Sequence, residues 1–282
     1  MHIQEKYHQL EVIMRQFRED HPGMSLRDAY HVINPSDIGR DKFEHYLQAQ
    51  GFGVGKKKSY HRTTNSNGVI RFPNLIENIE LTRVNQVWVS DITYYQMADT
   101  FCYLTFLMDL YSRRILGYSV SDSLLTSYTT IPALLMAFKT RGTNTHPGLI
   151  IHSDGGGQYY CKEFKALTKS AKMLNSMGKA AYENPHAERV NGIIKNNYLV
   201  YYAPNNYKDL LKKTKKAVMM YNHQKPHSAL NKLSPVQFEK LIDSRDIESE
   251  NNSSSYCPLS TSYYQNKKLN LISKPQKTVN VF

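Results

Sequence analysis

The pattern of apolar and polar positions changes character twice along the chain. Residues 1–52 carry apolar side chains at helical spacing in three short runs, "EKYHQLEVIMRQFRED", "SLRDAYHVI" and "GRDKFEHYLQAQGF", separated by the turn residues of "HPGM" and "NPSDI". Three short helices at this spacing fit a helix-turn-helix unit, and equally any small helical bundle. Residues 53–83, beginning "GVGKKKSYHRTTNSNGVIRFPN", lose the periodicity and read as a basic linker. Its Lys56, Lys57 and Lys58 are suited to following a phosphate backbone.

From residue 84 the period shortens to two. "NQVWVSDITYY", "FCYLTFLMDLYS" and "RRILGYSVSD" are strand-like, rich in β-branched and aromatic residues and joined by short turns, which predicts an antiparallel meander. Next come a helix in "SYTTIPALLMAFKTRG", a buried strand in "GLIIHSD", a helix in "YCKEFKALTKSAK", a short strand "MLNSM", and a helix opening at "NPHAERVNGIIKNNY". In that last helix Asn184 stands at the N-cap and Pro185 at the first helical position. The order predicts an α/β domain over 84–243, with a mixed five-stranded sheet flanked by helices in the ribonuclease H-like arrangement. "YKDLLKKTKKAVMMYNHQKPH" reads as a basic amphipathic helix and "SPVQFEKLI" as a short capped one. Residues 244–282, polar and then basic, predict a weakly ordered tail.

Composition narrows the possible partners. No apolar run approaches ~18 residues, and the N-terminus is charged throughout, so a non-membrane, cytoplasmic protein is expected. Cys102, Cys161 and Cys257 are far apart and form no CxxC pair, which supports neither a disulfide framework nor a cysteine-rich zinc site. The net charge is +12, and residues 189–282 hold 15 basic and 6 acidic side chains of the total. Concentration of charge in the C-terminal third points to a polyanion partner, nucleic acid above all.

Three acids stand where chemistry is expected in such a sheet. Asp91 shares a strand face with Val87 and Val89, and Asp154 follows the apolar strand and precedes Gly155, Gly156 and Gly157. Glu188 lies in the first turn of the helix that opens at Pro185. Each has a structural reading on its own: a carboxylate at a bulge, an Asp-Gly turn, or a helix-dipole partner. Glu188 fits neither a capping box, which needs the position held by Ala187, nor a helical ion pair, since Asn191 and Gly192 occupy i+3 and i+4. Glu183 precedes the Asn-Pro start and reads as loop. Asp109 falls where the hairpin turn belongs and reads as a turn cap. In a ribonuclease H-like sheet Asp91, Asp154 and Glu188 converge, and such a set of hard oxygen donors favours Mg²⁺ or Mn²⁺.

The pieces "NQVWVSDITYY", "DLYSRRILGYSV", "LIIHSDGGGQYY", "ENPHAERVNGIIKNNYL" and "YNHQKPHSALNKLSPVQFE" together resemble the DDE transposases and retroviral-type integrases, specifically the second reading frame of insertion-sequence transposases of the IS-three family. The resemblance runs from about residue 20 to 243. It implies that Asp91, Asp154 and Glu188 form a metal-binding triad holding two ions, and that Lys195, seven residues after Glu188 and about 20° from it around the helix, reaches DNA. Arg189 joins Lys195 and the lysines of the linker as an expected DNA contact. Ala187, Val190, Ile194 and Tyr198 form the face that buries the helix, and His152 and Gln158 flank Asp154. The implied activity is nicking of the element's ends and joining of the 3′-OH to DNA by an oligomer, at least a dimer, of a bacterial, nucleoid-associated enzyme. A partner protein from an upstream frame, carrying another helix-turn-helix, is implied as well. A DNA-binding repressor derived from a transposase, or a ribonuclease H-like nuclease that cuts without joining, are the rival functions.

Overall fold

The computed structural model describes residues 3–55, 72–97, 100–178 and 184–251. Lys56, Lys57, Lys58, Glu183 and the tail from 252 onward lie outside them. The chain divides into two contact units, Met1–Leu241 and Ile242–Phe282; the sheet, the acidic site and the helices up to Gln224 belong to the first.

The meander forms as the period-2 pattern predicts: β1 (Val87–Met97), β2 (Thr100–Asp109) and β3 (Ile115–Ser121) pair antiparallel. After α4 (Thr130–Arg141), β4 (Ile150–Ser153) adds parallel to β1, and β5 (Leu174–Met177) adds parallel to β4. The resulting order β3-β2-β1-β4-β5 is the ribonuclease H-like mixed sheet. Between β4 and β5 the expected single helix is two, α5 (Gly157–Tyr160) and α6 (Lys162–Ser170). The break is at Cys161, whose backbone is extended and whose Sγ accepts the Phe164 N–H at 3.4 Å, as an N-cap does.

Strand alternation sorts the apolar side chains into two layers. Val87, Val89, Leu104, Phe106 and Met108 face α7 (Pro185–Ile193) and the helices after it. Trp88, Leu107, Leu116 and Ile151 face α4 and α6. The close seating of α4 depends on Gly117 in β3, because a Cβ there would stand 1.9 Å from the Ala133 carbonyl oxygen.

The helix read from Pro185 runs unbroken but is not α-helical throughout. α7 passes into a π-helical turn, Ile194–Leu199, before α8 (Val200–Tyr202), and α9 (Tyr207–Gln224) follows. The three N-terminal helices, α1 (Ile3–Asp20), α2 (Leu26–Ile33) and α3 (Arg40–Ala49), pack around Leu10, Met14, Leu26, Ala29, Phe43 and Leu47. They dock on the widened turn: Gly23 N–H donates to the Asn197 carbonyl at 3.0 Å, and a Cβ on Gly23 would lie 2.6 Å from Asn197 Cα. π-helical turns are frequent at functional positions, and this one holds Lys195. The last helix, α10 (Pro235–Asn251), opens on a reciprocal cap between Ser234 and Gln237 and runs beyond the expected short segment into the stretch read as tail.

Candidate active site

Asp91 lies on the α7 face of β1, level with Val87 and Val89, both 1% exposed. The parallel register pairs Val87 with Ile150 and Val89 with His152. Carried two residues further, it brings Asp154 level with Asp91. Asp154 follows β4 directly, and its Oδ1 accepts the Gly156 N–H at 3.1 Å. A Cβ on Gly156 would stand only 3.0 Å from that oxygen, so the glycine gives the carboxylate its room.

The third acid arrives on α7, which two asparagines fasten across β1. Asn184 occupies the N-cap position, but its side chain makes no cap bond; Nδ2 donates instead to the Ser90 carbonyl at 3.0 Å. One face further along, Asn191 Nδ2 donates to Asp91 Oδ2 at 2.7 Å. Glu188 stands exposed in the first turn between them. Burial, then the charge of Asp154, then that of Glu188 push the Asp91 carboxyl up to about 7, against the pull of the Ile92 N–H and the Lys195 ammonium. Burial raises Asp154 too. Asp91 and Asp154 are therefore the buried, poorly hydrated pair, and Glu188 acts on Asp91 from the exposed first turn of α7. Among the described residues no group of three or more His, Cys, Asp or Glu side chains forms a ready-made metal cage. Donor chemistry nevertheless fits a hard cation at Asp91 and Asp154, which are oxygen donors whose ionised forms are penalised until positive charge is supplied.

Two matches decide the lineage. Residues 82–182 and 170–235 each match a family described as integrase core domain. The chain is also 30% identical over 208 residues to the insertion element IS600 uncharacterized 31 kDa protein of Shigella sonnei, spanning 72% of this chain and 75% of that protein. The chain belongs to the insertion-sequence transposase and integrase-core superfamily. A transposase for insertion sequence element IS629 from Shigella sonnei is 27% identical, with 81% of this chain and 77% of that one covered. Among solved structures, the HTLV-2 integrase catalytic core domain in complex with magnesium aligns with a TM-score of 0.46 at 25% identity, over 55% of this chain and 95% of that one.

The structure places the residues around these acids as follows. Lys195 turns inward: Nζ donates to Thr93 Oγ1 at 2.8 Å and to the Tyr94 carbonyl at 3.2 Å, so its charge offsets that of Asp91. Arg189 is exposed beside Glu188. Asp109 is fully buried and caps its turn as expected, with Oδ1 accepting from Tyr111 N–H at 3.0 Å and Ser112 N–H at 2.9 Å. His152 is buried with Nδ1 2.9 Å from Ser176 Oγ, and Gln158 reaches away from Asp154 to the Leu124 carbonyl at 3.1 Å. Tyr159, wholly buried, shares a 2.9 Å hydrogen bond with Ser90 and closes the site from the opposite face of the sheet.

Sequence reasoning gave Asn184 a capping role only and gave Asn191 none. Their only signal is a seven-residue spacing, which puts both on one stripe of the helix about 20° apart.

Proposed function

We propose that this chain is a DNA transposase that nicks the ends of its own element and joins the freed 3′-OH to DNA. The observation that carries this is the placement of Asp91 and Asp154 at one level of two adjacent parallel strands, with α7 fastened to Asp91 through Asn191; burial and the charges of Asp154 and Glu188 push the Asp91 carboxyl up to about 7 there. Two carboxylates buried on neighbouring strands have a use for a cation that either lacks when alone.

In this proposal Asp91, Asp154 and Glu188 hold Mg²⁺ or Mn²⁺, two ions per site. When bound, such ions supply Lewis-acid activation of the attacking oxygen and neutralise charge developing on the leaving oxygen. Asn191 keeps Asp91 turned toward α7, and Lys195, its ammonium held against Thr93 and Tyr94 of β1, balances the Asp91 charge. Water is the nucleophile for nicking and a DNA 3′-OH for joining, so no side chain need attack phosphorus. Arg189 and the basic C-terminal third, with Lys56, Lys57 and Lys58 of the linker, hold the DNA. The N-terminal helices add a helix-turn-helix-like contact, and joining two ends calls for at least a dimer, with an upstream-frame protein as a possible further partner.

Labelled element-end duplex, incubated with the full chain and Mg²⁺, tests this. Nicked strand and joined product are expected with wild type and absent with Asp154→Asn. Cutting without joining favours a plain nuclease, and DNA binding without cutting favours a repressor; either result defeats the transposase proposal.

A further inference from the structure

Asn184 bonds to the chain beside Asp91 and at Glu188, and in doing so departs from what its own position favours. An asparagine at a helix N-cap ordinarily accepts a backbone N–H of the first turn with its side chain. Here the Asn184 backbone carbonyl accepts the Glu188 N–H at 3.2 Å, while the side chain makes no cap bond. The residue is 3% exposed, and its Oδ1 is buried with no hydrogen-bond partner. A buried acceptor left unpaired is destabilising. A cap bond would satisfy that oxygen; the side chain serves the sheet instead.

The ladder between β1 and β4 shows how. Ile150 N–H donates to the Gln86 carbonyl at 3.1 Å. Carbonyls alternate in direction along a strand, so those of Trp88 and Ser90 also face β4. With Trp88 level with Ile151 and Val89 with His152, the donor due at the Ser90 carbonyl is Asp154 N–H. That rung is not made. The pairing ends at Val89 and His152, β4 ends at Ser153, and among the described residues Asp154 N–H makes no backbone hydrogen bond. Asn184 Nδ2 occupies the Ser90 carbonyl at 3.0 Å in its place. A carbonyl only accepts, so the amide must present its nitrogen there. Ser90 is also held from the opposite face of the sheet, where its hydroxyl shares a 2.9 Å hydrogen bond with the buried Tyr159.

We propose that Asn184 is a positioning residue that sets the spacing of the three acids. Its amide ends the β1–β4 ladder one rung early, which keeps the Asp154 backbone off β1 and fixes the gap between Asp91 and Asp154. Its carbonyl begins the turn that carries Glu188. The proposal rests on the reading of these acids as a cation-holding set, and it gives Asn184 no contact with ion or substrate.

Asn184→Ser separates this role from helix capping, because serine caps a helix about as well as asparagine but has no amide to reach β1. Binding of Mn²⁺ alone to the full chain, followed in mildly alkaline buffer by loss of the free-ion electron paramagnetic resonance signal, should weaken in the variant by about tenfold or more, as is usual when a residue that orients metal ligands is lost. Hydrogen exchange of the metal-free chain gives a readout that involves no ion. The Asp154 amide should exchange readily in wild type and gain protection in Asn184→Ser, as it takes over the Ser90 carbonyl. Leu47→Ala, in the core of the N-terminal helices, shows the effect of a general loss of stability and should leave both readouts as in wild type. Should Asn184→Ser fail to fold, Asn184→Thr replaces it.

Wild-type Mn²⁺ affinity in Asn184→Ser, a loss matched by Leu47→Ala, or an Asp154 amide equally protected with and without Asn184 overturns the positioning role. Nicking of element ends by wild type alongside any of these leaves the transposase reading intact. An amide that gains protection in a chain that neither binds Mn²⁺ nor nicks element ends leaves Asn184 as the residue that ends the ladder and defeats the transposase reading.

Discussion

Asp91→Asn offers a quantitative check on the electrostatics of the acidic site. In metal-free solution the folded chain keeps a proton on Asp91 up to about pH 7, whereas the unfolded chain releases it near the ordinary 3.8. Between those values the folded state binds more protons, so stability falls as pH rises, by about 1.4 kcal/mol per unit and roughly 4 kcal/mol in all as an upper bound. Asp154, raised by burial as well, shares this window, so the slope belongs to the pair. An asparagine at 91 does not ionise. Its single oxygen cannot accept from both Ile92 N–H and Asn191 Nδ2, which now receive one carboxylate oxygen each, so about 1 kcal/mol of hydrogen bonding is lost. The variant should therefore be about 1 kcal/mol less stable than wild type near pH 4 and about 2 to 3 kcal/mol more stable at pH 8. Urea unfolding in chelator, followed by the fluorescence of Trp88, the sole tryptophan and fully buried, measures both. Added Mg²⁺ should stabilise wild type at pH 8 and leave the variant nearly unchanged. An equal difference between the two proteins at both pH values would refute the reasoning.

Further substitutions test the frame around the site. Asn191→Leu removes the donor to Asp91 Oδ2; the Asp91 carboxyl should rise further, moving the pH midpoint of Mg²⁺-induced stabilisation upward, and an unmoved midpoint would show that Asn191 does not act on Asp91. Gly117→Ala sets a methyl 1.9 Å from the Ala133 carbonyl oxygen and 2.9 Å from the Ala137 nitrogen, both backbone atoms, so the loss should exceed the usual overpacking range of about 1–3 kcal/mol. The thermal midpoint reads it out, and a midpoint equal to wild type contradicts the close seating of α4. Glu239 is 5% exposed and accepts from Ser112 at 2.6 Å and from both Arg141 nitrogens at 2.9 and 2.7 Å, with Arg114 as a further partner. Glu239→Gln leaves the buried Arg141 with only its longer 3.4 Å pair to Asp109 and should cost about 3 kcal/mol in urea unfolding. Those partners hold the Glu239 carboxyl below its usual range against burial, so in wild type this stability is present above the ordinary glutamate pKa and disappears as pH falls through the lowered one.

How much of this was legible beforehand follows from the reach of each interaction. The meander and the two later strands were readable because β-branched and aromatic runs, turn residues and strand length are local signals. The strand face that Asp91 shares with Val87 and Val89 followed from alternation alone, and Asp109 as a turn cap from its position. Features set by distant partners left no local trace. The π-helical turn is met by Gly23, more than 170 residues earlier in the chain, whose backbone donates to Asn197. The Asn184 side chain abandons the helix cap for a β1 carbonyl 94 residues away. Lys195 has the helical phase that points toward Glu188, yet its long side chain folds back onto Thr93. Helical phase fixes where a side chain starts, and tertiary partners decide where its charge ends.

The most direct test of the central claim is to measure strand joining and DNA affinity in parallel for Asp91→Asn, Asp154→Asn and Glu188→Gln. If the three acids act as one metal-holding unit, each substitution abolishes joined product while the folded variant still binds duplex DNA. Glu188 is the decisive member, being exposed and joined to the others in this structure only through its charge. Joined product from Glu188→Gln at the wild-type rate would contradict the account.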